Sequence, residues 1–252
     1  MEIKGKLAII TGSSGQIGSY IALALAAKGA DCICHYNKNR EKAESLARQI
    51  QATGGKAIVI QADLTNEKQI DMLFEKAESL GTPQILINSA AIFSREAISE
   101  IRQEFAQELI NTNLIAPILT SRIFAEKIFA KFGGSTGSPL KEISGKIINL
   151  ADICGLHPWA NYVLYCSSKA GLIGATKALA KELAPAICVN AVAPGIVTWP
   201  DDYDEEKRKK QISKIPLKRI ARPEEIAQAI VGLIENDYIT GQVLCVDGGR
   251  SI

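Results

Sequence analysis

The chain has few histidines, no cysteine pair at metal-binding spacing and little net charge. Only two histidines occur among 252 residues, and no two of the six cysteines stand in C-x-x-C spacing, so nothing predicts a zinc site. Basic and acidic residues nearly balance, 29 against 27, which argues against nucleic-acid and anionic-membrane partners. No apolar run is long enough to cross a bilayer, and no secretory leader is recognisable. We therefore expect a cytoplasmic protein without a metal ion, whose cysteines are reduced and buried.

Apolar residues make up 47% of the chain, enough for a sizeable core. The predicted strands cover residues 7–10, 31–36, 57–61, 84–88, 146–150, 187–192 and 242–246. The predicted helices cover residues 17–28, 40–52, 66–80, 97–132 and 160–184, and a last one opens at Pro223. The strands are continuously apolar, as in a parallel sheet buried on both faces. We predict a single α/β domain over residues 1–252, a Rossmann-type doubly wound fold whose seven-stranded parallel sheet carries helices on both faces.

Two segments interrupt this alternation of strands and helices. Residues 133–145 are rich in glycine and serine and predict a surface loop. Residues 196–222 are polar and follow a strand, so we expect a substrate loop over the binding crevice. Inside it an acidic run, 201–206, precedes a basic run, 207–210, and both predict a solvated surface helix.

A glycine-rich turn links the first strand to the first helix. Gly12, Gly15 and Gly18 allow a tight turn and close approach of the backbone to a pyrophosphate at the helix N-terminus. An ordinary tight turn is the alternative, although the position after the first strand of a βαβ unit favours a dinucleotide site.

The end of the second strand indicates which dinucleotide is bound. Enzymes that prefer NAD place a carboxylate there for the ribose 2′-hydroxyl, whereas here Asp31 lies at the opposite end of the strand. His35, Lys38 and Arg40 are candidate donors to a 2′-phosphate, which favours NADP(H), although a basic loop at a helix start is the alternative. Asp63, at the end of the third strand, either accepts from the adenine amino group or caps the next helix.

Tyr165 and Lys169 are the candidate chemical centre. Their spacing of four puts the phenol and the ammonium on one face of a helix. A nearby ammonium stabilises phenolate, so we expect the pKa of Tyr165 to fall toward neutrality. The phenol would then give a proton to a carbonyl under reduction, or take it back in the reverse step.

Together with the glycine turn, Tyr165 and Lys169 resemble the short-chain dehydrogenase/reductase family, and the resemblance extends over essentially the whole chain. Further matches to its motifs are Asn88, Ala90, Asn113, Pro194, Gly195 and Thr198, with residues 238–241 and 246–249. The resemblance implies hydride transfer with a nicotinamide dinucleotide, a catalytic role for Asn113 and a contact from Thr198 to the nicotinamide amide. It also implies a homotetramer whose helices around 97–132 and 160–184 pair across a two-fold interface.

Two departures from the family pattern stand out. Gln16 occupies the turn position that is usually glycine, and Asp152 stands 13 residues before Tyr165, where the family has serine. An aspartate there is similar to the pteridine reductase branch, which also carries a His-Tyr pair like residues 35–36 and an aromatic aligned with Phe93. This branch implies NADPH-dependent reduction of a pteridine or dihydrofolate-like heterocycle, with proton delivery by Tyr165, Lys169 and Asp152.

Other interpretations stay open. A 3-oxoacyl-type carbonyl reductase or alcohol dehydrogenase is the first alternative, and a non-catalytic NADP-binding regulator is the second. Asp152 could be a helix cap, Phe93 plain packing and Asn113 an interface residue, while His157 and Trp159 either line the substrate pocket or cover the sheet edge.

The predicted cofactor-binding residues are Gly12, Ser14, Gln16, Ile17, Gly18, His35, Tyr36, Asn37, Lys38, Asp63, Leu64, Asn88, Ala90, Tyr165, Lys169, Pro194, Gly195 and Thr198. The predicted substrate-binding residues are Phe93 and Trp199, for a small-molecule substrate.

Overall fold

A parallel sheet with helices on both faces organises the computed structural model, which describes residues 1–133, 143–200 and 203–252. The strands are β1 (Leu7–Thr11), β2 (Asp31–Tyr36), β3 (Ala57–Gln61), β4 (Pro83–Asn88), β5 (Gly145–Leu150), β6 (Ile187–Pro194) and β7 (Val243–Val246). The helices are α1 (Gln16–Ala27), α2 (Arg40–Ala52), α3 (Glu67–Ala77), α4 (Gln103–Ile110), α5 (Ala116–Phe132), α6 (Val163–Leu183), α7 (Glu205–Ser213) and α8 (Pro223–Glu235). The strand order is β3-β2-β1-β4-β5-β6-β7, and every pairing is parallel. The predicted fold is confirmed.

Two cores, one on each face of the sheet, explain why the strands are apolar throughout. Ala8 and Ile10 of β1 pack in the cluster that holds α1, α2 and α8. Leu7 and Ile9 pack on the other face, with α3, α5 and α6. Because successive side chains of a strand point to opposite faces, both sets must be apolar. All six cysteines are unpaired thiols, five of them buried, as expected.

The long helix predicted over 97–132 is interrupted. A 3-10 turn at Ile98–Glu100 precedes α4, and a π-helical turn, Asn111–Ile115, joins α4 to α5. Pro117 lies in the first turn of α5 and lacks the N–H that would bond the carbonyl of Asn113 in a regular helix. The register of the helix therefore changes at Asn113.

The substrate-loop segment contains a helix. Helix α7 has no buried residue, and Asp204 caps it by accepting a hydrogen bond from the Lys207 amide at 2.8 Å. The predicted surface helix is therefore confirmed for residues 205–213, while residues 201–202 lie outside the described ranges. Residues 134–142 of the predicted glycine- and serine-rich loop lie outside them too. None of the helices in the described ranges has the length and apolar composition to cross a bilayer.

Candidate active site

A cavity of about 1000 Å³ opens at the carboxyl edge of the sheet, where β1, β4, β5 and β6 end. The glycine turn forms one side of the cavity, and Asp152, Tyr165 and Lys169 form its centre. Residues 194–200, α7 and Arg250 close the far side. The carboxyl edge is where an open parallel sheet binds ligands, so most of the predicted site residues meet at one place.

The glycine turn has no room for a side chain at Gly12 or at Gly18. Gly12 has a φ of +64°, and a Cβ on it would lie 2.7 Å from the Cα of Ala90. A Cβ on Gly18 would lie 2.5 Å from the carbonyl oxygen of Gly12. The turn therefore packs against the segment after β4 and leaves bare backbone facing the cavity, which fits a pyrophosphate. Ser14 faces a second, smaller cavity of about 480 Å³ between α1 and α2.

His35 is a structural residue, which corrects the prediction that it donates to a 2′-phosphate. The Gly12 amide donates to its Nδ1 at 3.0 Å, and its Nε2 donates to the carbonyl oxygen of Ala62 at 2.9 Å. Burial lowers the pKa of His35 to about 4, so the ring is neutral at pH 7. Both ring nitrogens are engaged, and the ring fixes the glycine turn to the ends of β2 and β3.

The other residues predicted to bind the adenosine end lie outside the main cavity, beside the glycine turn. Lys38 is exposed just beyond the end of β2, whereas Arg40 pairs with Glu44 at 2.7 Å. Asp63 accepts from the amide and hydroxyl of Thr65, and Asn66 caps α3, so the helix-cap interpretation of Asp63 is wrong. The remaining predicted residues at these strand ends are Tyr36, Asn37 and Leu64.

The side chain of Asn88 is buried and does not line the cavity, so cofactor binding by Asn88 stays a prediction for its backbone alone. Its Nδ2 donates to Asn149 Oδ1 at 2.9 Å, and its Oδ1 accepts from the Thr120 hydroxyl at 2.8 Å. The amide is buried and ties β4 to β5 and α5. Beside it, the Thr11 hydroxyl accepts from the amides of Ser89 and Ala90, and so holds the segment after β4 against the glycine turn.

Tyr165 and Asp152 are in direct contact. The Tyr165 hydroxyl donates to Asp152 Oδ2 at 3.0 Å, and Asp152 Oδ1 accepts from the Cys154 amide at 2.8 Å. Burial raises the pKa of Asp152, against the lowering effect of the Cys154 amide and of the Lys169 charge. Asp152 therefore caps the 3-10 turn Ile153–Gly155 with one oxygen and holds the phenol with the other.

Lys169 lies behind the phenol and is buried. Its Nζ donates to the carbonyl oxygen of Leu150 at 2.6 Å and lies 5.7 Å from the centroid of the Tyr165 ring. Burial lowers the pKa of Lys169. Burial and the Asp152 charge raise the pKa of Tyr165 well above its usual value, so the expectation that it falls toward neutrality is wrong. At neutral pH the phenol is protonated and can donate.

Asn113 supports the site from behind. Its Oδ1 accepts from the Ile92 amide at 2.7 Å, and its Nδ2 donates to the carbonyl oxygen of Ile92 at 2.8 Å and to Ser168 Oγ at 3.2 Å. The side chain is buried and does not line the cavity. Its side chain thus ties the segment after β4 to α6, and the catalytic role of Asn113 stays a prediction.

Aromatic side chains surround the reacting centre. Phe93 is 51% exposed, lines the cavity and contacts the Tyr165 ring edge to face at a centroid distance of 4.9 Å. Trp159 and Trp199 line the cavity as well, whereas His157 is exposed and outside it. Phe93 and Trp199 therefore lie where a substrate contact requires them to be.

The segment after β6 faces the glycine turn across the cavity. The Thr198 hydroxyl donates to Gln16 Oε1 at 2.7 Å, which joins two residues predicted to bind the cofactor. Pro194, Gly195 and Ile17 line the cavity with them. A Cβ on Gly195 would lie 2.8 Å from the Cα of Asp247, so this glycine is needed where β6 ends against the C-terminal turn.

The basic residues on the far side of the cavity were not predicted from the sequence. Lys207, Lys210 and Lys214 line the cavity, although the basic run was interpreted as wholly solvated. Their spacing of three and four puts them on one face of α7 and its last turn, which is the signal that could have found them. Arg250 lines the cavity from the C-terminal segment, and no motif marks it.

Comparison with known proteins gives a consistent set of matches. The model of the family described as "Enoyl-(Acyl carrier protein) reductase" matches residues 12–251. The chain is 33% identical to a 3-oxoacyl-[acyl-carrier-protein] reductase FabG of Thermotoga maritima, with all of both chains covered. It is 34% identical to the 3-oxoacyl-[acyl-carrier-protein] reductase of Synechocystis sp., with 98% of this chain and 97% of the relative covered. A solved structure of a mutant short-chain dehydrogenase/reductase from Serratia marcescens superposes with a TM-score of 0.89 at 27% identity, with both chains fully covered.

Proposed function

Because the chain belongs to the short-chain dehydrogenase/reductase family, we propose that it reduces a carbonyl group of the 3-oxoacyl type to an alcohol, with NADP(H) as its cofactor. The chain is therefore an oxidoreductase. The observation that carries the proposal is a buried phenol, Tyr165, which donates a hydrogen bond to Asp152 and faces a cavity continuous with the glycine turn. The names of the relatives at 33–34% identity support the 3-oxoacyl class over the pteridine class.

The residues of the cavity fit the cofactor and the chemistry. Gly12 and Gly18 leave the backbone bare for a pyrophosphate, and Ile17, Thr198 and Pro194 line the adjoining wall. The residues of this wall would hold NADP(H), which when bound would supply the hydride for the carbonyl carbon. Tyr165 gives its proton to the carbonyl oxygen, which balances the negative charge that develops there. Asp152 orients the phenol by accepting its hydrogen bond, and the Lys169 ammonium lies behind the ring at 5.7 Å from its centroid.

NADPH is preferred over NADH in this proposal because of Lys38. Asp31 lies at the far end of β2, so no acid of that strand would repel a 2′-phosphate. Lys38→Ala is expected to raise the KM for NADPH about tenfold and to leave the KM for NADH unchanged. Lys68→Ala, at an exposed lysine of α3, is the control. Equal effects on both cofactors would remove Lys38 from the specificity argument.

A heterocyclic substrate of the pteridine type is the second candidate. Phe93 favours it, because a half-exposed ring beside Tyr165 could stack on a flat substrate. Asp152 favours it as well, since a carboxyl stands where carbonyl reductases of this family have serine.

Steady-state oxidation of NADPH distinguishes the two candidates. Acetoacetyl-CoA and acetoacetate would be compared with dihydrobiopterin and dihydrofolate under the same conditions. We expect turnover of the ketones to exceed that of the pterins. Rapid pterin turnover without ketone turnover would overturn the main proposal in favour of the second.

We also propose a homotetramer. Exposed apolar residues lie at or beside the ends of helices α4, α5 and α6. They are Ile98 before α4, Ile115 before α5, Phe132 at the end of α5 and Val163 at the start of α6. An assembly through these helices would remove this apolar surface from water. Light scattering with size-exclusion chromatography measures the mass, and a monomeric mass at micromolar concentration would contradict the assembly.

A further inference from the structure

Basic residues outnumber acidic ones in the lining of the cavity. Among the described residues that line it, six are basic and one, Asp152, is acidic, whereas the whole chain carries a formal charge of only +2. Four of the six, on α7, at its end and in the C-terminal segment, lie on the far side of the cavity. The basic lining residues are Arg95, Lys169, Lys207, Lys210, Lys214 and Arg250. Clustered charge of one sign in a cleft favours an anionic ligand. The pyrophosphate cradle lies at the opposite side of the cavity, so the cofactor alone does not explain this charge.

Arg250 is held from two sides. It lies in the turn over residues 247–251, where Asp247 accepts from the Gly249 amide at 2.9 Å and the Ser251 amide at 2.7 Å. Its Nη2 donates to Gln211 Oε1 on α7 at 2.7 Å. The guanidinium is therefore fixed from both the C-terminal turn and α7 before any ligand binds, which lowers the entropic cost of binding.

One face of the Arg250 guanidinium has no partner. Its Nη1 is buried and makes no hydrogen bond to any residue in the described ranges, although each buried N–H of a charged group needs an acceptor. Burial lowers the pKa of Arg250, while the charges of Tyr203, Asp152 and Asp247 oppose the change. Arg250 and Asp152 line the same cavity, so the guanidinium shares this space with the reacting centre.

We propose that Arg250 binds an anionic group of the substrate and selects for substrates that carry one. The proposal rests on the carbonyl reduction proposed above and adds the substrate class, an oxo compound with a carboxylate or phosphate. A guanidinium matches both groups through paired N–H donors, and Lys210 and Lys214 extend the same positive surface.

Turnover of charged and neutral substrate pairs tests the proposal. Comparing the turnover of acetoacetate with that of ethyl acetoacetate tests for recognition of a carboxylate. Comparing acetoacetyl-CoA with acetoacetyl-N-acetylcysteamine tests for recognition of a phosphate. We expect the anionic member of one pair to have a kcat/KM about ten- to a hundredfold higher, as for a buried charge-assisted hydrogen bond. Arg250→Met should remove that preference by lowering kcat/KM for the anionic member far more than for the neutral member, while Arg250→Lys should retain part of it. Arg48→Met, an exposed arginine of α2, is the charge-matched control.

Binding without turnover separates this proposal from the proposed reaction. The chain has two tryptophans, Trp159 and Trp199, and both line the cavity, so intrinsic fluorescence reports its occupancy. With NADP⁺ present, butyrate or inorganic phosphate should change the fluorescence more strongly than butyramide, and Arg250→Met should abolish the difference. That result without any ketone turnover would overturn the reaction and keep the anion site. Equal response to neutral and charged probes, or an Arg250→Met variant impaired only in its KM for NADPH, would overturn the anion site.

Discussion

The Tyr165 phenol donates a hydrogen bond to the Asp152 carboxylate at 3.0 Å. A carboxylate in this position differs from a serine hydroxyl in two respects, because it carries charge and cannot donate when it is ionised. The negative charge and the burial together hold the pKa of Tyr165 high. The phenol is therefore a proton donor at rest, and it needs no prior protonation before a carbonyl is reduced.

Removing the phenol hydroxyl should stop the reaction without preventing cofactor binding. We expect Tyr165→Phe to lower kcat by about 10²- to 10⁴-fold, the usual contribution of a positioned general acid. The affinity for NADPH, followed by fluorescence, should stay within a factor of about two, since the glycine cradle is untouched. Tyr238→Phe is the matched control, because Tyr238 is fully exposed. Turnover retained in Tyr165→Phe would assign proton donation to another group.

Asp152 should make the stability of the fold depend on pH. Burial raises its pKa, so the folded chain holds this proton more tightly than the unfolded chain does. Its contribution to stability is therefore present at low pH and lost as the pH rises through the folded pKa. Asp152→Asn cannot ionise, so the free energy of unfolding of this variant should rise relative to that of the unmodified chain as the pH increases above about 4.

Urea unfolding at a series of pH values measures this difference. Asp71→Asn, on the exposed face of α3, should show no such gain. If Asp152→Asn instead loses stability relative to the unmodified chain as the pH rises, the ionised carboxylate is stabilising and the direction of the pKa shift is wrong.

The fold could be predicted because its rules are local and repeat along the chain. Ile9 and Ile10 are neighbours that enter opposite cores, and such continuous apolar pairs mark a sheet covered on both faces. The Tyr165–Lys169 contact was predictable too, since it depends only on helical spacing. The break in the helix at Asn113 was missed, because periodicity alone does not register that Pro117 removes a backbone donor.

The polar residues of the site were harder to assign from the sequence. His35 and Asn88 have the residue types of ligand-binding groups, yet both are buried and fully used in tying strands together. A sequence does not show whether a polar side chain points into a cavity or into a core. Arg250 is the reverse case, because its role depends on a C-terminal turn that brings it beside α7, far from it in sequence order.

His35 should link acid sensitivity to the glycine turn. Its pKa is lowered to about 4 by burial, from an unfolded value of about 6.5, so its contribution to stability is present above pH ~6.5 and lost as the pH falls toward 4. The loss amounts to about 3 kcal/mol when complete. Protonation also removes the acceptor of the Gly12 amide, so the KM for NADPH should rise on acidification.

The variant His35→Gln cannot protonate and should therefore unfold with a weaker dependence on pH between about 4 and 6.5. His157→Gln, at an exposed position, should keep the pH dependence of the unmodified chain. The measurement is the free energy of unfolding in urea, paired with the KM for NADPH at each pH. Unchanged pH profiles in His35→Gln would mean that other groups titrate in this range.

Gln16 competes with the cofactor for the proton of the Thr198 hydroxyl, given the contact from Thr198 to the nicotinamide amide that the family resemblance implies. The hydroxyl has one proton and donates it to Gln16 Oε1 at 2.7 Å, so it cannot donate to the nicotinamide carbonyl oxygen at the same time. Gln16→Ala should then lower the KM for NADPH about threefold, the value of one modest hydrogen bond. Thr198→Val should raise that KM about tenfold, and Thr198→Ser, which keeps the hydroxyl, should not.

A double-mutant cycle decides whether the two residues act through each other. In a Thr198→Val background, Gln16→Ala should have no effect on the KM for NADPH, because the hydroxyl it would release is already gone. A rise in KM caused by Gln16→Ala in either background would show instead that Gln16 itself binds the cofactor. In that case Gln16 and Thr198 bind NADPH together, and a position that is usually glycine in the family contributes a side chain to cofactor binding.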